Sequence, residues 1–487
     1  MNSQKKRIGK ASAEFITACQ TLIGIENVRL NTADKSPFLT DWRKRYSGTA
    51  LAVLCPQTSL EVAAIVDLCN KTRIAMVPQG GNTGLSGGAT PNDSGEQVVI
   101  SLKRLNKIRE VNLPNQTITA EAGCILQSVQ ELAASHQRLF PLSLAAEGSC
   151  TIGGVLSTNA GGTAVLRYGS ARELCLGLEV VTAEGQIWDG LRGLRKDNTG
   201  YDLRDLFIGA EGSLGLITAA VLKLQPAPAA TVTALAAVPS VESALALLSL
   251  SQRYAGMLLT AFELISHSCL DYVSHYFPQL RYPFNQATPY AVLLELSDQE
   301  SEDHARNIFN KLMEESITNG LINDALIAQS IAQTRQFWNL REHIPLAQVE
   351  EGPNIKHDVS LPASRIAEFV TKTDAQMQAN FPGCRIINFG HLGDGNLHYN
   401  IACPAGTVPH EFMIHQDVAS RIVHDRVIAM GGSISAEHGI GKSKIVEMGR
   451  YKTSVELQLM RAVKKALDPK GLMNPGKVLP EKTARPN

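Results

Sequence analysis

The sequence predicts an α+β fold in more than one domain, and three observations carry that prediction. The chain has 487 residues, too long for one ordinary domain. Residues 48–225 are rich in glycine and in short apolar runs, and open with a β-α-β pattern. Residues 230–430 instead alternate strand-like runs with long helical ones and carry few turn dipeptides. The expected division is a helical segment over 1–45, a first domain over 46–225, a second over 226–430, and a C-terminal helical segment over 431–487.

Each element follows from local pattern. "AEFITACQTLIG" reads as a short amphipathic helix. "GTALAVLCP" reads as a strand, "SLEVAAIVDLCNKTRI" as a helix with apolar spacing of three and four, and "AMVPQ" as a second strand ending in a glycine loop. "QPAPAAT" carries two prolines and no regular pattern, so a boundary is expected there. Beyond it, "YAVLLELS" and "CRIINFG" read as strands and "SEDHARNIFNKLMEESITNG" as a helix, which suggests a sheet, antiparallel in the expected fold, covered on one face. "ELQLMRAVKKALDPKGLMNPGKVLP" reads as a helix stopped by Pro469, then an irregular arm.

Composition excludes several classes. Lys+Arg and Asp+Glu are both 46, so there is no basic surplus for non-specific nucleic-acid binding. The nine cysteines are scattered and contain no C-x-x-C, which argues against a disulfide framework or a cysteine zinc site. "MNSQKKRIGK" is basic, but no apolar signal-peptide region follows; as a mitochondrial presequence it would be short and poor in Arg. "VTALAAVPSVESALALLSL" contains Pro239 and Glu242 and is a poor spanning helix. The expectation is a soluble protein without a transmembrane segment, cytoplasmic, or in the mitochondrial matrix of a eukaryote.

Three glycine clusters stand out: "PQGGNTGLSGG" (78–88), "EGSCTIGGVLSTNAGGTAVLRYGS" (147–170) and "GAEGSLGLIT" (209–218). Glycine admits positive φ and close approach of a ligand to the main chain, and successive exposed N–H groups form an anion concavity. Three clusters together suggest one large phosphate-bearing cofactor threaded through several loops. The dinucleotide fingerprint G-x-G-x-x-G is absent, which disfavours a nicotinamide-binding Rossmann unit.

"VPQGGNTGLSGGATP", "IGGVLSTNAGG" and "GAEGSLGLIT" resemble the FAD-binding domain of the vanillyl-alcohol oxidase and p-cresol methylhydroxylase superfamily (the PCMH type). The resemblance implies a two-subdomain FAD-binding domain followed by an α+β substrate (cap) domain, with the C-terminal segment returning to the FAD domain. It implies the FAD pyrophosphate on Gln79, Gly80, Gly81, Asn82, Thr83, Gly84 and Leu85. Further flavin contacts are implied for Gly148, Ser149, Gly154, Asn159, Gly161, Gly162, Ile217 and Asn474.

"FGHLGDGNLHYNI" places His391 and His398 on either side of Gly393-Asp394-Gly395-Asn396, which reads as a turn. An unbroken strand would point the two imidazoles to opposite faces; a turn lets them converge. Two imidazoles and a carboxylate leave open positions on a metal, the catalytic arrangement, and Glu437 is a candidate for the carboxylate. "GHLGDGNLHYN" and "SAEHGIGKSK" resemble the C-terminal signatures of FAD-linked D-2-hydroxyacid dehydrogenases. That resemblance implies a divalent metal, zinc, on His391, His398 and Glu437, with His438 as catalytic base and substrate contact. A phosphate-loop reading of A-x-x-x-x-G-K-S has Ala436 where glycine belongs and puts the Glu437 charge beside the phosphates.

"FWNLREHIP" places Arg341 on a helix, and "IKHDVSLP" places Lys356 before a strand. Arg grips a carboxylate with two parallel hydrogen bonds, and Lys offers a point charge. The pair resembles the D-2-hydroxyglutarate branch, with Pro345, Ile355 and His357 as departures. Asn400 is implied on the substrate as well. A dicarboxylate is the expected substrate, D-2-hydroxyglutarate before D-malate, with D-lactate or glycolate as the alternative. An electron-transfer flavoprotein or a quinone is the expected acceptor, and a homodimer the default assembly.

Overall fold

Four short strands begin the first unit: β1 (Val28–Arg29), β2 (Ala52–Leu54), β3 (Met76–Gln79) and β4 (Val98–Ser101), in the order β1-β2-β4-β3. The computed structural model describes residues 2–481, with side chains from residue 12 onward; Met1 and residues 482–487, at the outer ends of the expected first and last segments, lie outside the described residues. The expected β-α-β unit is present as β2, the helix Ser59–Thr72 and β3, but β2 and β3 do not pair. Both run parallel to β4, which lies between them and is buried along its length. Val98, Val99 and Ile100 are apolar on both faces, as a central parallel strand requires.

Then follow β5 (Ile108–Asn112), β6 (Thr117–Glu121), β7 (Arg138–Leu139), β8 (Cys175–Thr182), β9 (Ile187–Gly190), β10 (Gly215–Lys223) and β11 (Gln225–Pro226). Five of them form an antiparallel sheet ordered β5-β6-β10-β8-β9, and β7 pairs with β11. The first unit thus holds two larger sheets and a two-stranded ribbon, the larger two as a two-subdomain FAD-binding domain requires. It comprises Met1–Ala160, Ser170–Pro226 and Glu437–Asn487.

The second unit comprises Gly161–Gly169 and Ala227–Ala436. Gly161 and Gly162, expected in the first domain, therefore pack with the second, where Arg167 donates to the Ser297 carbonyl at 2.5 Å. Its sheet holds β12 (Ala230–Val238), β13 (Leu259–Ser266), β14 (Tyr290–Asp298), β15 (Asp324–Ile327), β16 (Asp358–Ser360), β17 (Arg385–His391) and β18 (Asn396–Ala402). The order is β15-β12-β14-β13-β17-β18-β16, every pair antiparallel.

Helices cover both faces of this sheet, not one. Helices Val241–Ala255, Glu302–Thr318, Ala363–Asn380 and Gln416–Ala429 pack on the side of Phe262, Leu264, Leu294 and Tyr399. Helices His267–Tyr276, Ile331–Glu342 and Ile344–Glu351 cover part of the other side, over Leu235, Ile265, Leu293 and Phe389. Strands β12 to β14 are apolar on both faces, so each face needs a cover. The apolar stretch with Pro239 splits into β12 and a helix, and among the described residues no helix is long and apolar enough to cross a membrane. All nine cysteines are buried and none is bridged.

One group under the sheet is predicted to set a pH dependence. Burial raises the Asp374 carboxyl to about 6, although the Tyr399 hydroxyl donates to it at 2.6 Å. The fold therefore favours the neutral acid, and this contribution is present below about pH 4 and lost as pH rises through about 6. Asp374→Asn, which keeps an acceptor for Tyr399, should match wild type near pH 4 and exceed it by about 1–2 kcal/mol at pH 8. Denaturant unfolding at both values checks this; an equal gain at both would rule out ionisation as the cause.

Candidate active site

In the first unit the glycine clusters lie against one another. A Cβ on Gly81 would sit 2.2 Å from the Ser149 carbonyl oxygen, and one on Gly80 would sit 2.3 Å from Thr151 Oγ1. At Gly81 the obstacle is backbone, so no larger residue fits there; at Gly80 it is the Thr151 hydroxyl, which would have to move. Asn82 takes a left-handed φ of 59° and donates to the Thr40 carbonyl at 2.9 Å. Gln79 is buried at the end of β3 and donates to the carbonyls of Phe38 and Ala89, bracing the loop. At Gly84 a Cβ would meet nothing within 4 Å, so Thr83-Gly84-Leu85 turns an open stretch of backbone outward. The second and third clusters are tied by amides of Gly209 and Glu211 to the carbonyls of Leu156 and Ser157. Asn159 accepts from Ser170 Oγ and the Arg172 amide, Gly148 and Ser149 are exposed, Gly154 is half-buried beside Thr151, and Ile217 is buried in β10.

This loop set fits a large polar ligand. Gln79 Oε1, Thr151 Oγ1 and Asn474 Oδ1 are buried and have no hydrogen-bond partner among the described residues. Such atoms are costly unless a ligand or water satisfies them, and all three lie on the segments implied in FAD binding.

The His438 segment is held in the same unit. The His438 carbonyl accepts from Ser86 Oγ at 2.9 Å. Glu211 Oε1 accepts from the Ile440 amide at 2.8 Å, and Oε2 from Gly441 at 2.9 Å. Burial raises the Glu211 carboxyl, and those two amides oppose the shift. Asn474 donates to the carbonyls of Gly88 and Glu211, and Lys477 to those of Gly87 and Thr90. Burial and the nearby Lys442 lower Lys477 to about 8. Lys442 itself lies 5.9 Å from the Tyr46 ring centroid.

In the second unit, strand register assembles a polar row on one face. His391 pairs opposite Glu263, His398 opposite Phe389, and Asp358 opposite His398, so all five side chains share that face. The expected turn is present: β17 ends at His391, Gly395 has φ of 87°, and β18 starts at Asn396. The two imidazoles converge, with ring centroids 5.8 Å apart and a ligand nitrogen of each within 4.8 Å of the other. His391 Nδ1 lies 2.5 Å from Glu263 Oε1, and Arg341 Nε donates to Glu263 Oε2 at 2.7 Å. Burial alone would raise the Glu263 carboxyl, but His391 and Arg341 together outweigh it and hold it at about 2. The Arg341 guanidinium lies 4.8 Å over the Phe389 ring, which in turn lies 4.9 Å from the His398 ring. Asp358 Oδ1 is 3.8 Å from His398 Nδ1 and accepts from Asn396. Two imidazoles backed by carboxylates suit a divalent metal.

The remaining expected residues divide between the units. Lys356 lies between Ile355, which bridges to Ile401, and His357, whose ring nitrogens bond Tyr399 O and Ser420 Oγ. Asn400 is buried, accepts from the His357 amide and donates to Gln348, so its amide braces the sheet. Glu437 follows directly on Ala436, whose amide bonds the Asp358 carbonyl. Sequence reasoning missed Glu263, Asp358 and Glu211. The one available signal for Glu263 was a lone charge in the apolar run "TAFELIS".

The family "FAD linked oxidases, C-terminal domain" matches residues 227–478, and "FAD binding domain" matches residues 50–190. The chain belongs to the FAD-linked oxidase family and is an FAD-dependent oxidoreductase. Among its relatives, a mitochondrial D-2-hydroxyglutarate dehydrogenase of Arabidopsis thaliana is 38% identical, over 94% of this chain and 80% of that one. The D-2-hydroxyglutarate dehydrogenase of Xanthomonas citri pv. viticola is 37% identical, over 95% and 96%. A putative mitochondrial D-lactate dehydrogenase of Schizosaccharomyces pombe is 35% identical, over 97% and 91%. Substrate-bound p-cresol methylhydroxylase has the same fold, with a TM-score of 0.75 at 16% identity over 96% of this chain and 97% of that one.

Proposed function

We propose that this chain oxidises a D-2-hydroxyacid to the 2-oxoacid, with D-2-hydroxyglutarate preferred and D-malate next. The observation that carries this is the near end-to-end likeness to the Xanthomonas D-2-hydroxyglutarate dehydrogenase. Bound FAD supplies the two-electron acceptor for the substrate Cα hydride. His391, His398 and Glu437 would hold a divalent ion, zinc, which supplies Lewis acidity toward the hydroxyl. His438 takes the hydroxyl proton on a ring nitrogen. Arg341 receives a substrate carboxylate, because its Nε is committed to Glu263 and its two terminal nitrogens donate to no other described residue. Lys356 and Asn400 complete the polar lining. Electrons pass on to an electron-transfer flavoprotein or a quinone, in a homodimer of the cytoplasm or of a mitochondrial matrix.

A second reading, a D-lactate or glycolate dehydrogenase, is favoured by the fission-yeast relative and by the departures at Pro345, Ile355 and His357. Anaerobic absorbance titration separates them. D-2-hydroxyglutarate should bleach the oxidised flavin, its L isomer should not, and a chelator should abolish the bleaching. Faster bleaching by D-lactate would favour the second reading. A flavin left yellow by every 2-hydroxyacid would remove both.

A further inference from the structure

Glu263 is the one charged residue of β13, and its two oxygens are taken by two different side chains of the site, Arg341 and His391. It is 1% exposed, and Arg341 and His391 are 7% exposed each. Burying such a group is poorly explained by stability, since apolar residues of similar volume often serve as well or better. Its placement is better explained by what it orients.

We propose that Glu263 is a positioning residue that sets the tautomer of His391 and the heading of Arg341 together. It thereby joins the metal-bearing imidazole and the carboxylate-binding guanidinium into one rigid element. This inference rests on the metal reading given above. An imidazole that donates Nδ1–H to a carboxylate carries its lone pair on Nε2. A carboxylate behind a ligand histidine orients the ring and raises its basicity, and losing it costs about 10–100-fold in metal affinity. On the other oxygen, the bond from Nε fixes that edge of the planar Arg341 guanidinium, while the Phe389 ring lies beneath it, so the outer edge has one heading. A carboxylate accepts from both donors at once. A carboxamide has one acceptor, so in Glu263→Gln at least one of the two arms must fail.

The test uses full-length, flavin-loaded protein as wild type, Glu263→Gln and Glu263→Asp. Flavin content and far-ultraviolet circular dichroism confirm folding. After removal of native metal, Co2+ alone is titrated against a competing chelator and its visible absorption band is recorded. KM and kcat for D-2-hydroxyglutarate are then measured on metal-saturated protein. Glu263→Gln should bind Co2+ about 10–100-fold more weakly with a shifted band, or raise KM about tenfold or more with a smaller change in kcat. Should Glu263→Gln not accumulate as folded protein, Glu263→Asp carries the test. Its shorter reach should weaken Co2+ binding severalfold or raise KM severalfold. Wild-type Co2+ affinity, band and KM in the folded variant would overturn the proposal while leaving the metal site standing. A wild-type protein that takes up no Co2+ would overturn the metal reading and this inference with it.

Discussion

Replacing His438 by Asn is expected to slow anaerobic flavin reduction by D-2-hydroxyglutarate by about two to four orders of magnitude. The substitution removes the proposed base without removing the backbone bonds on either side of it. The His438 carbonyl is bonded to Ser86, and the amides of Ile440 and Gly441 are bonded to Glu211. Gly441 has φ of 50°, and a Cβ there would sit 2.2 Å from the Ser86 carbonyl oxygen, so the backbone path is set by glycine and by its neighbours. FAD content and thermal stability should therefore stay near wild type. Stopped-flow absorbance at saturating substrate makes the measurement. A rate within a few-fold of wild type would assign proton removal to another group.

The second large effect is expected at His398. His398→Ala should leave a folded flavoprotein that retains little metal and turns over about a hundredfold more slowly or worse, because metal assistance to charge development is worth several kcal/mol. His398 faces the same side of the sheet as His391, and its ring lies against Phe389 and near Asp358. Loss of the imidazole opens a small gap beside Phe389 without cutting the link between Glu263 and Arg341. Metal analysis and turnover are read on the same preparation, with chelator-treated wild type and added zinc as the control. Metal-free His398→Ala with wild-type turnover would exclude the ion from the reaction.

The glycine loops were legible because glycine acts locally. A missing Cβ at Gly80 and Gly81 has its effect within a few ångströms, and the sequence displays it directly. The turn between His391 and His398 was legible for the same reason. Arg341 was legible as a candidate only; whether it faced solvent, an acid or a substrate was open. Glu263 was not legible as a site residue at all. In "TAFELIS" the period of two separates Ala261, Glu263 and Ile265 from Phe262 and Leu264, yet nothing local says which set faces the chemistry.

By itself, then, the sequence determined the family, the α+β class, the glycine loops and the histidine pair, because these rest on short-range backbone chemistry and on motifs. The tertiary structure alone decided the partnerships. Strand register brings Glu263 opposite His391 across 128 residues of chain. It also places β4 between β2 and β3, and packs Gly161–Gly169 with the second unit. Such pairings follow from burying apolar faces over the whole sheet, a sum over many distant contacts that no single stretch of sequence contains.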